Sequence, residues 1–317
     1  MLPVTNRRPV LVFACWGVES DAWLKAIRGN LPEVEVREWP DVGDPAEVDL
    51  AFVWKYPPGL LGAFPNLRAV FALGAGVESI LRDPTYPTGV PLVRMVDPGL
   101  ATGMNEFVLM CVLHYHRQMH EHARHQKARQ WVRLVPPLPG DRRVGLLGLG
   151  ELGTKCARTL AGLGFDMAGW TRTPRDVPNV TTFAGWDRLP DFLARTEILV
   201  CLLPLTADTA NILNRERLAR LPKSACIVNV ARGDHIVDAD LIAALDSGHL
   251  AGATLDVFRE EPLPAAHTYW SHPKVTVVPH IAAITQIKTA AETLAANVRR
   301  VLAGQPLPNV VSRERGY

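Results

Sequence analysis

The sequence predicts an α/β fold built from two domains, and three observations lead to this prediction. Short runs of β-branched and aromatic residues alternate with helical patterns along most of the chain, which is typical of parallel α/β sheets. A length of 317 residues exceeds what one ordinary hydrophobic core accommodates. A glycine-rich loop at residues 144–153 lies between a strand pattern and a helix pattern, and it begins a second, more regular series.

The first series occupies about a hundred residues. Its helical patterns cover residues 19–28 and 77–82, and its strands are expected at residues 10–15, 49–54, 68–73 and 91–95. The apolar run Val10–Trp16 is short for an export signal and is soon followed by acidic residues, so it is interpreted as the first strand.

The second series comes after a long helical pattern from Pro98 to about Arg129, which has proline in its first turn, a favoured position. The proline-rich segment VPPLPG (135–140) separates this helix from the strands of the second series. The strands of this series are expected at residues 143–147, 166–171, 197–203, 226–231, 252–257 and 275–279. Helices are expected between them, and a last helix is expected over residues 286–303.

Composition and charge restrict the class of partner. The chain is 48% hydrophobic and 21% charged, which is ordinary for a globular protein. A net charge of +2 provides no electrostatic basis for binding nucleic acid or an anionic membrane. No uninterrupted apolar run approaches the about 18–20 residues of a transmembrane helix. The expected partner is therefore a small molecule, with neither nucleic acid nor membrane involved.

The spacing of cysteine and histidine favours neither disulfides nor a metal. Five scattered cysteines form no Cys-x-x-Cys pair, which predicts buried thiols in a reducing, cytoplasmic compartment. Five histidines cluster between His114 and His125, but HEHARH (120–125) does not fit the His-Glu-x-x-His pattern of zinc sites. The cluster is interpreted as a polar helix face or a subunit contact, and no metal is predicted.

The glycine loop VGLLGLGELG (144–153) carries Gly148, Gly150 and Gly153 in the spacing Gly-x-Gly-x-x-Gly, directly between a strand and a helix pattern. In this context the first glycine permits a tight turn, the second lets a pyrophosphate approach the backbone, and the third lets the helix pack on the strand. The helix N-terminus then faces the phosphates. The loop predicts a dinucleotide site that includes Glu151 and Leu152.

The strand after this helix lacks the acidic residue that NAD-selective sites place against the ribose 2′-hydroxyl. In AGWTRTP (168–174), Thr171, Arg172 and Thr173 occupy that end, and Thr171 follows Gly153 by 18 residues. An arginine there attracts a 2′-phosphate, which favours NADP(H), with NAD(H) as the second choice. The alternative is that Arg172 is an ordinary solvated residue.

Three later segments place a charged or titratable residue at the end of a strand. These residues are Arg232 in CIVNVARGD, Glu261 in GATLDVFREEP and His280 in VTVVPHIAAIT. Ligands of open α/β sheets bind beyond the carboxyl ends of strands, where the three side chains would converge. Reduction of a 2-oxo acid requires a cation for the carboxylate and an acid for the developing alkoxide. Arg232 suits the first task, and His280, oriented by Glu261, suits the second.

The segments GLGELG, NVARGD, LDVFREEP and PHIAAIT resemble, in order, those of the D-isomer-specific 2-hydroxyacid dehydrogenases. The resemblance extends over essentially the whole chain. Within that family the glyoxylate/hydroxypyruvate reductase A branch is the most similar, through FALGAGVESI, TFAGWDRL, AALDSGHLAGATLDVFREEPLP, AAIT and the terminal RGY.

The resemblance implies a Rossmann-type doubly wound domain, residues 99–285, inserted in a smaller flavodoxin-like substrate domain, residues 1–98 and 286–317. It implies a catalytic triad of Arg232, Glu261 and His280. It assigns further positions to the cofactor: Leu203, Pro204, Thr209, Val230, Ala231, Asp256 and Ala282. It assigns the substrate carboxylate to Arg232 and to the glycine turn of Gly74, Ala75 and Gly76. The ring of Trp54 is expected to form an apolar wall of the substrate site.

The expected function is therefore that of an NADPH-preferring reductase of small 2-oxo acids. The resemblance further implies a homodimer, with the long helix and the segment that follows it in the interface. The alternative is a dinucleotide-sensing regulatory protein without turnover, since relatives of this fold include corepressors. Lys55, near the expected mouth of the cleft, favours anionic substrates if it points inward and is only solvated if it points outward.

Overall fold

A computed structural model describes residues 7–316 of the chain. The described residues form two compact units. Unit 1 contains those up to Leu100 and those from Thr285 onward, and unit 2 contains Ala101–Ile284. Unit 2 is thus inserted in the chain of unit 1. Tyr317, the last residue of the RGY motif, lies outside the described residues.

Unit 1 is built on a parallel sheet of five strands in the order β2-β1-β3-β4-β5. This is the order of the flavodoxin-like doubly wound fold. The strands are β1 (Val10–Cys15), β2 (Glu35–Glu38), β3 (Val48–Trp54), β4 (Ala69–Ala72) and β5 (Leu92–Val93), and the helices are α1 (Ser20–Asn30), α2 (Glu78–Leu81) and α9 (Ile287–Leu302).

The terminal helix α9 completes the core of unit 1. Its buried residues Leu294 and Val298 belong to the same apolar cluster as Trp23 and Ile27 of α1 and Phe52 of β3. Burying a side chain of this size stabilises the fold by roughly 1.5–3 kcal/mol. The C-terminal segment of the chain therefore contributes directly to the stability of the N-terminal sheet.

The long helix expected over residues 98–129 is divided in two, so the prediction of a single helix is wrong. Helix α3 covers Pro98–His116 and α4 covers Met119–Lys127. Gln118 has φ 57°, a left-handed conformation that interrupts the helical hydrogen bonds. Helix α4 has no buried residue. Packing against a core therefore does not require α4 to continue along the axis of α3.

Unit 2 contains a parallel sheet of seven strands in the order β12-β11-β10-β9-β6-β7-β8. The chain order reverses between β6 and β9, which makes the sheet doubly wound. The strands are β6 (Arg143–Leu147), β7 (Asp166–Thr171), β8 (Thr181–Ala184), β9 (Ile198–Cys201), β10 (Ala225–Asn229), β11 (Leu250–Leu255) and β12 (Val275–Val277), and the helices are α5 (Glu151–Gly162), α6 (Leu189–Arg195), α7 (Arg215–Leu218) and α8 (Asp238–Asp246).

Both units confirm the predicted α/β class. The strands β2 and β8 are not predicted by the sequence pattern, and both lie at the edge of a sheet. Edge strands are half-solvated, so EVRE and TTFA carry polar residues where interior strands are continuously apolar. Within residues 7–316, none of the helices is both long enough and apolar enough to span a membrane.

Candidate active site

The glycine loop lies at the point where the strand order of unit 2 reverses. Gly148 follows β6 with φ 102° and donates its N–H to Trp170 O at 3.0 Å. A Cβ on Gly153 would lie 2.0 Å from Gly148 O, so only glycine allows α5 to begin this close to the turn. A Cβ on Gly150 would meet nothing within 4 Å. The loop is therefore closely packed between Gly148 and Gly153, whereas the space next to Gly150 is open.

Helix α5 begins directly after this open position. Gly150 is its N-cap and supplies no side-chain hydrogen bond, so first-turn N–H groups are available to an anion. Glu151 is exposed and Leu152 is half-buried at this end. The space above Gly150 and the helix terminus together fit the pyrophosphate of a dinucleotide.

The end of β7 provides the positions next to the expected ribose. Arg172 and Thr173 are exposed, and the Thr171 hydroxyl donates to Thr173 O at 2.7 Å. Asp166 lies at the other end of the strand, 2.5 Å from Arg195 Nη2. Among the described residues 171–173 at the carboxyl end of β7 none carries a carboxylate, in keeping with a 2′-phosphate rather than a free hydroxyl.

A second loop follows β9, the strand on the other side of the reversal. Leu203 and Thr209 are buried, and Pro204 is half-buried. The Thr209 hydroxyl donates to Pro204 O at 2.7 Å and accepts a bond from Thr206 N at 2.8 Å. The threonine closes residues 204–209 into a rigid turn.

Arg232 lies just beyond β10, after the buried residues Val230 and Ala231. Asn229, which is fully buried, donates from Nδ2 to Arg232 O at 2.9 Å. The Arg232 side chain donates from Nη1 to Ala231 O at 2.5 Å. The strand end is thus folded back on itself, which fixes the backbone that carries the guanidinium.

Gly233 brings this backbone against the segment that carries Glu261. A Cβ on Gly233 would lie 2.0 Å from Phe258 C and 2.2 Å from Arg259 N. No other residue allows so close an approach of the two backbones. The contact places the loops after β10 and β11 side by side.

His280 and Glu261 form a direct pair across the strand ends. His280 Nδ1 lies 2.7 Å from Glu261 Oε2, and Glu261 Oε1 accepts the Phe258 N–H at 3.0 Å. Burial acts to raise the pKa of Glu261, but the bonds from His280 and Phe258 and the charges of His280 and Arg232 leave the pKa below its ordinary value. Glu261 is therefore an ionised partner that orients the imidazole.

Asp256 holds the loop on which His280 lies. Its carboxylate, 1% exposed, accepts the N–H of Ile281 at 2.7 Å and that of Ala282 at 3.1 Å, and Ala282 is itself buried. Burial raises the pKa of Asp256, although the two N–H bonds and the charge of His280 act against the rise. His280 takes a left-handed φ of 55°, and the hydrogen bonds from Ile281 and Ala282 to Asp256 stabilise this turn.

The substrate residues expected outside the triad lie in unit 1. Trp54 ends β3, and its ring lies against Gly74, where a Cβ would come within 2.9 Å of it. Ala75 and Gly76 are half-buried in the turn that precedes α2. Lys55 is exposed, with φ 48°.

The histidine cluster makes contacts between aromatic rings. The rings of His114 and His120 lie 5.3 and 5.2 Å from that of Tyr115, and the ring of His116 lies 4.9 Å from that of Phe165. Burial lowers the pKa of His114, His116 and His120. Across residues 7–316, no group of three or more His, Cys, Asp or Glu is arranged to hold a metal.

Three residues near the loops are not anticipated from the sequence. Asn229 shapes the Arg232 loop, and Arg175 donates to Leu149 O within the glycine loop. His235 contacts both Arg232 and Pro204 through its ring. A polar residue inside the apolar strand ACIVN is the available signal for Asn229, whereas Arg175 and His235 follow ordinary loop patterns.

Known proteins are similar to this chain over most of its length. The family model for the NAD-binding domain of D-isomer-specific 2-hydroxyacid dehydrogenases matches residues 109–282. Glyoxylate/hydroxypyruvate reductase A of Yersinia enterocolitica is 43% identical over 304 residues, which cover 94% of this chain and 97% of that protein. The corresponding reductase of Photorhabdus laumondii is 42% identical over the same shares.

Two solved structures are similar over the whole chain. A D-isomer-specific 2-hydroxyacid dehydrogenase from Xanthobacter autotrophicus, in complex with NADPH and MES, has a TM-score of 0.94 and 44% identity, covering 98% of this chain and 100% of that one. An NADPH-dependent glyoxylate/hydroxypyruvate reductase from Sinorhizobium meliloti, in complex with NADP and sulfate, has a TM-score of 0.92 and 37% identity at the same coverage. The chain therefore belongs to the D-isomer-specific 2-hydroxyacid dehydrogenase family.

Proposed function

We propose that the protein is an NADPH-preferring reductase that converts small 2-oxo acids of the glyoxylate and hydroxypyruvate type into 2-hydroxy acids. The observation that carries the proposal is the 2.7 Å contact between His280 and Glu261, with the Arg232 loop packed on the same segment through Gly233. An oriented acid and a cation for a carboxylate are the two protein groups that this reaction requires.

His280 is the proton donor in this proposal. Its Nδ1 donates to Glu261 Oε2, so the tautomer is set and Nε2 is the nitrogen that passes its proton to the substrate oxygen. Glu261 stabilises the charged imidazolium before the transfer. Asp256 keeps the His280 backbone in place by accepting the N–H groups of Ile281 and Ala282.

Arg232 binds the substrate carboxylate. A guanidinium offers two parallel N–H donors that match the two carboxylate oxygens. Asn229 and Gly233 fix its backbone from either side. The substrate roles of Trp54, Gly74, Ala75 and Gly76 stay predictions.

The glycine loop, the first turn of α5 and the end of β7 would hold NADPH, with Arg172 at the 2′-phosphate. Bound NADPH supplies the hydride for reduction. The NADPH- and NADP-bound relatives support this choice of cofactor, and so does the absence of a carboxylate at Thr171, Arg172 and Thr173. Leu203, Pro204, Thr209, Val230, Ala231 and Ala282 are proposed to border the same cofactor.

The test is a kinetic panel. The value of kcat/KM is measured for glyoxylate, hydroxypyruvate, pyruvate and phenylpyruvate, each with NADPH and with NADH. We expect NADPH to be oxidised with glyoxylate and hydroxypyruvate, and kcat/KM to be higher with NADPH than with NADH. No oxidation with any of the four acids, together with tight NADPH binding, would instead identify a dinucleotide-sensing protein.

We further propose that the protein is a homodimer. The segment after α4 carries three strongly exposed apolar side chains, those of Trp131 at 97%, Val135 at 88% and Leu138 at 73%, and such patches are typical of subunit interfaces. Light scattering is expected to give twice the chain mass, and Trp131→Asp to reduce it. Leu163→Asp, at an exposed position after α5, is the matched control. An unchanged dimer in the Trp131 variant would exclude this surface.

A cytoplasmic location is part of the same proposal. All five cysteines are free and buried, as expected in a reducing compartment, and no nucleic-acid partner is proposed because the net charge is only +2. Cell fractionation with antibody detection tests the location. Recovery in an exported fraction would contradict it.

A further inference from the structure

His235 is a fully buried histidine to which the proposed mechanism gives no role. It is 0% exposed and ends the short 3₁₀ turn Gly233–His235 that comes after Arg232. Its Nδ1 lies 3.2 Å from Arg232 N and 3.1 Å from Arg232 O, and its Nε2 lies 3.3 Å from Pro204 O. One ring thus contacts both the carboxylate-binding loop and the loop after β9.

The partners of the two nitrogens define the tautomer. The Arg232 N–H can only donate, and Pro204 O can only accept. A neutral ring that carries its proton on Nε2 satisfies both contacts, because Nδ1 accepts from Arg232 while Nε2 donates to Pro204. A ring that gains a second proton directs Nδ1–H to Arg232 O instead. In either state the ring joins the same two loops.

The surroundings hold the ring in this position. Leu213 N donates to His235 O at 2.9 Å, and Thr209 Oγ1 shares the Pro204 carbonyl at 2.7 Å. Burial acts to lower the pKa of His235, but its contacts with Cys201, Pro204 O and Arg232 leave the pKa above its ordinary value. The imidazole is therefore fully engaged in polar contacts and is not a simple filler of the core.

We propose that His235 is a positioning residue for both halves of the site in unit 2: its Nδ1 fixes the Arg232 backbone for the substrate carboxylate, and its Nε2 fixes the Pro204–Thr209 loop for the dinucleotide. The inference rests on the proposed function, since it assigns the two loops to substrate and cofactor. The ring contacts backbone atoms of Arg232 and Pro204, so it fixes the two loops without touching the substrate or the cofactor.

The two contacts can be removed separately. An asparagine amide carries its polar atoms at the δ position, like Nδ1, whereas a glutamine amide carries them at the ε position, like Nε2. We expect His235→Asn to keep the KM of glyoxylate within about twofold while the Kd of NADPH rises about five- to tenfold, as for one lost buried hydrogen bond. We expect His235→Gln to show the reverse, and His235→Leu to raise both constants.

The control is a histidine elsewhere in unit 2 that also accepts a backbone N–H at Nδ1 and faces an oxygen at Nε2. His272 is 9% exposed; its Nδ1 accepts the Lys274 N–H at 3.2 Å, and its Nε2 lies 3.2 Å from Asp246 Oδ1. His272→Asn and His272→Gln should lower the thermal stability and leave KM and Kd unchanged. Equal effects of the Asn and Gln variants of His235 on both constants would overturn the proposal, because a merely structural residue has no such division.

A measurement on the wild-type protein guards against variants that do not fold. Nitrogen-15 NMR of the histidine rings should show His235 protonated on Nε2, with signals that shift on addition of NADPH and of oxamate separately. A neutral ring protonated on Nδ1 would leave Nε2 without a proton to donate to Pro204 O, would also lose the acceptor for Arg232 N–H, and would refute the inference. If wild-type protein reduces no 2-oxo acid, the proposed function fails, while the Kd of NADPH in the two variants still decides the contact with Pro204.

Discussion

His280 Nδ1 and Glu261 Oε2 lie 2.7 Å apart, although the two residues are 19 positions apart in the chain. The imidazole side chain is 42% exposed and the carboxylate 31%, so the pair faces solvent at the strand ends rather than the core. A half-exposed histidine held by an ionised carboxylate is suited to exchange protons with a bound molecule.

Replacement of His280 by glutamine should remove the proton donor and keep a side chain of similar size. We expect kcat to fall by about 10²–10⁴-fold, the usual contribution of a general acid, while the Kd of NADPH changes little. Steady-state kinetics with glyoxylate and a fluorescence titration with NADPH measure the two quantities. Undiminished turnover would show that another group supplies the proton.

Glu261→Gln should change how stability depends on pH. The pKa of Glu261 lies below its ordinary value of 4.5, so its ionised form stabilises the fold. This contribution is fully present above pH 4.5 and is lost as the pH falls through the lowered pKa. Urea unfolding at pH 7 should therefore show the variant less stable, by no more than about 1 kcal/mol for a partly exposed pair.

The same comparison repeated in acid provides the check on Glu261. The difference in unfolding free energy between wild type and variant should shrink below pH 4.5. A difference that stays constant or grows on acidification would mean that the carboxylate is not stabilised by His280 and Phe258.

Arg172→Asp should lower the preference for NADPH over NADH. The new carboxylate repels a 2′-phosphate and can accept a bond from a free 2′-hydroxyl. We expect the ratio of kcat/KM for NADPH to that for NADH to fall about ten- to hundredfold, as for the loss of one charged contact. Arg220→Asp, which alters an exposed arginine on the segment after α7, controls for the change in net charge. An unmoved ratio would assign Arg172 to the solvated surface.

Gly233→Ala should destabilise unit 2, because the new methyl group would overlap the Phe258–Arg259 backbone. The expected loss in unfolding free energy is about 1–3 kcal/mol or more, with a higher KM for glyoxylate as Arg232 shifts. Gly162→Ala is the matched control, since a Cβ there meets nothing within 4 Å and helix propensity favours alanine by up to about 1 kcal/mol. Equal stability of the two variants would show that the close approach at Gly233 is unimportant.

Much of the fold is predictable from local pattern. The strands 10–15, 143–147 and 166–171 coincide with β1, β6 and β7, because buried parallel strands are continuous apolar runs bounded by polar or glycine residues. The break at Gln118 and the edge strands β2 and β8 are not predictable in this way. Their residues have mixed preferences, and the outcome depends on which neighbours they pack against.

The motifs of the candidate site are also visible in the sequence. The turn requires glycine at Gly148 and Gly153, and glycine at Gly150 leaves room for a pyrophosphate above the turn. That strand ends carry Arg232, Glu261 and His280 is enough to expect an oriented acid beside a cation. The glycine spacing and the residue types at the strand ends are local features, so they can be identified from the sequence without the tertiary structure.

What the sequence determined by itself is therefore the class of fold, the family and the residue types of the chemistry. The tertiary structure decided the contacts between loops that are far apart in the chain: Gly233 against Phe258, Asp256 under the His280 turn, and His235 between Arg232 and Pro204. Hydrogen bonds and close packing depend on differences of a fraction of an ångström. Such distances arise only when the strands are paired in register, because the sheet sets where each loop begins.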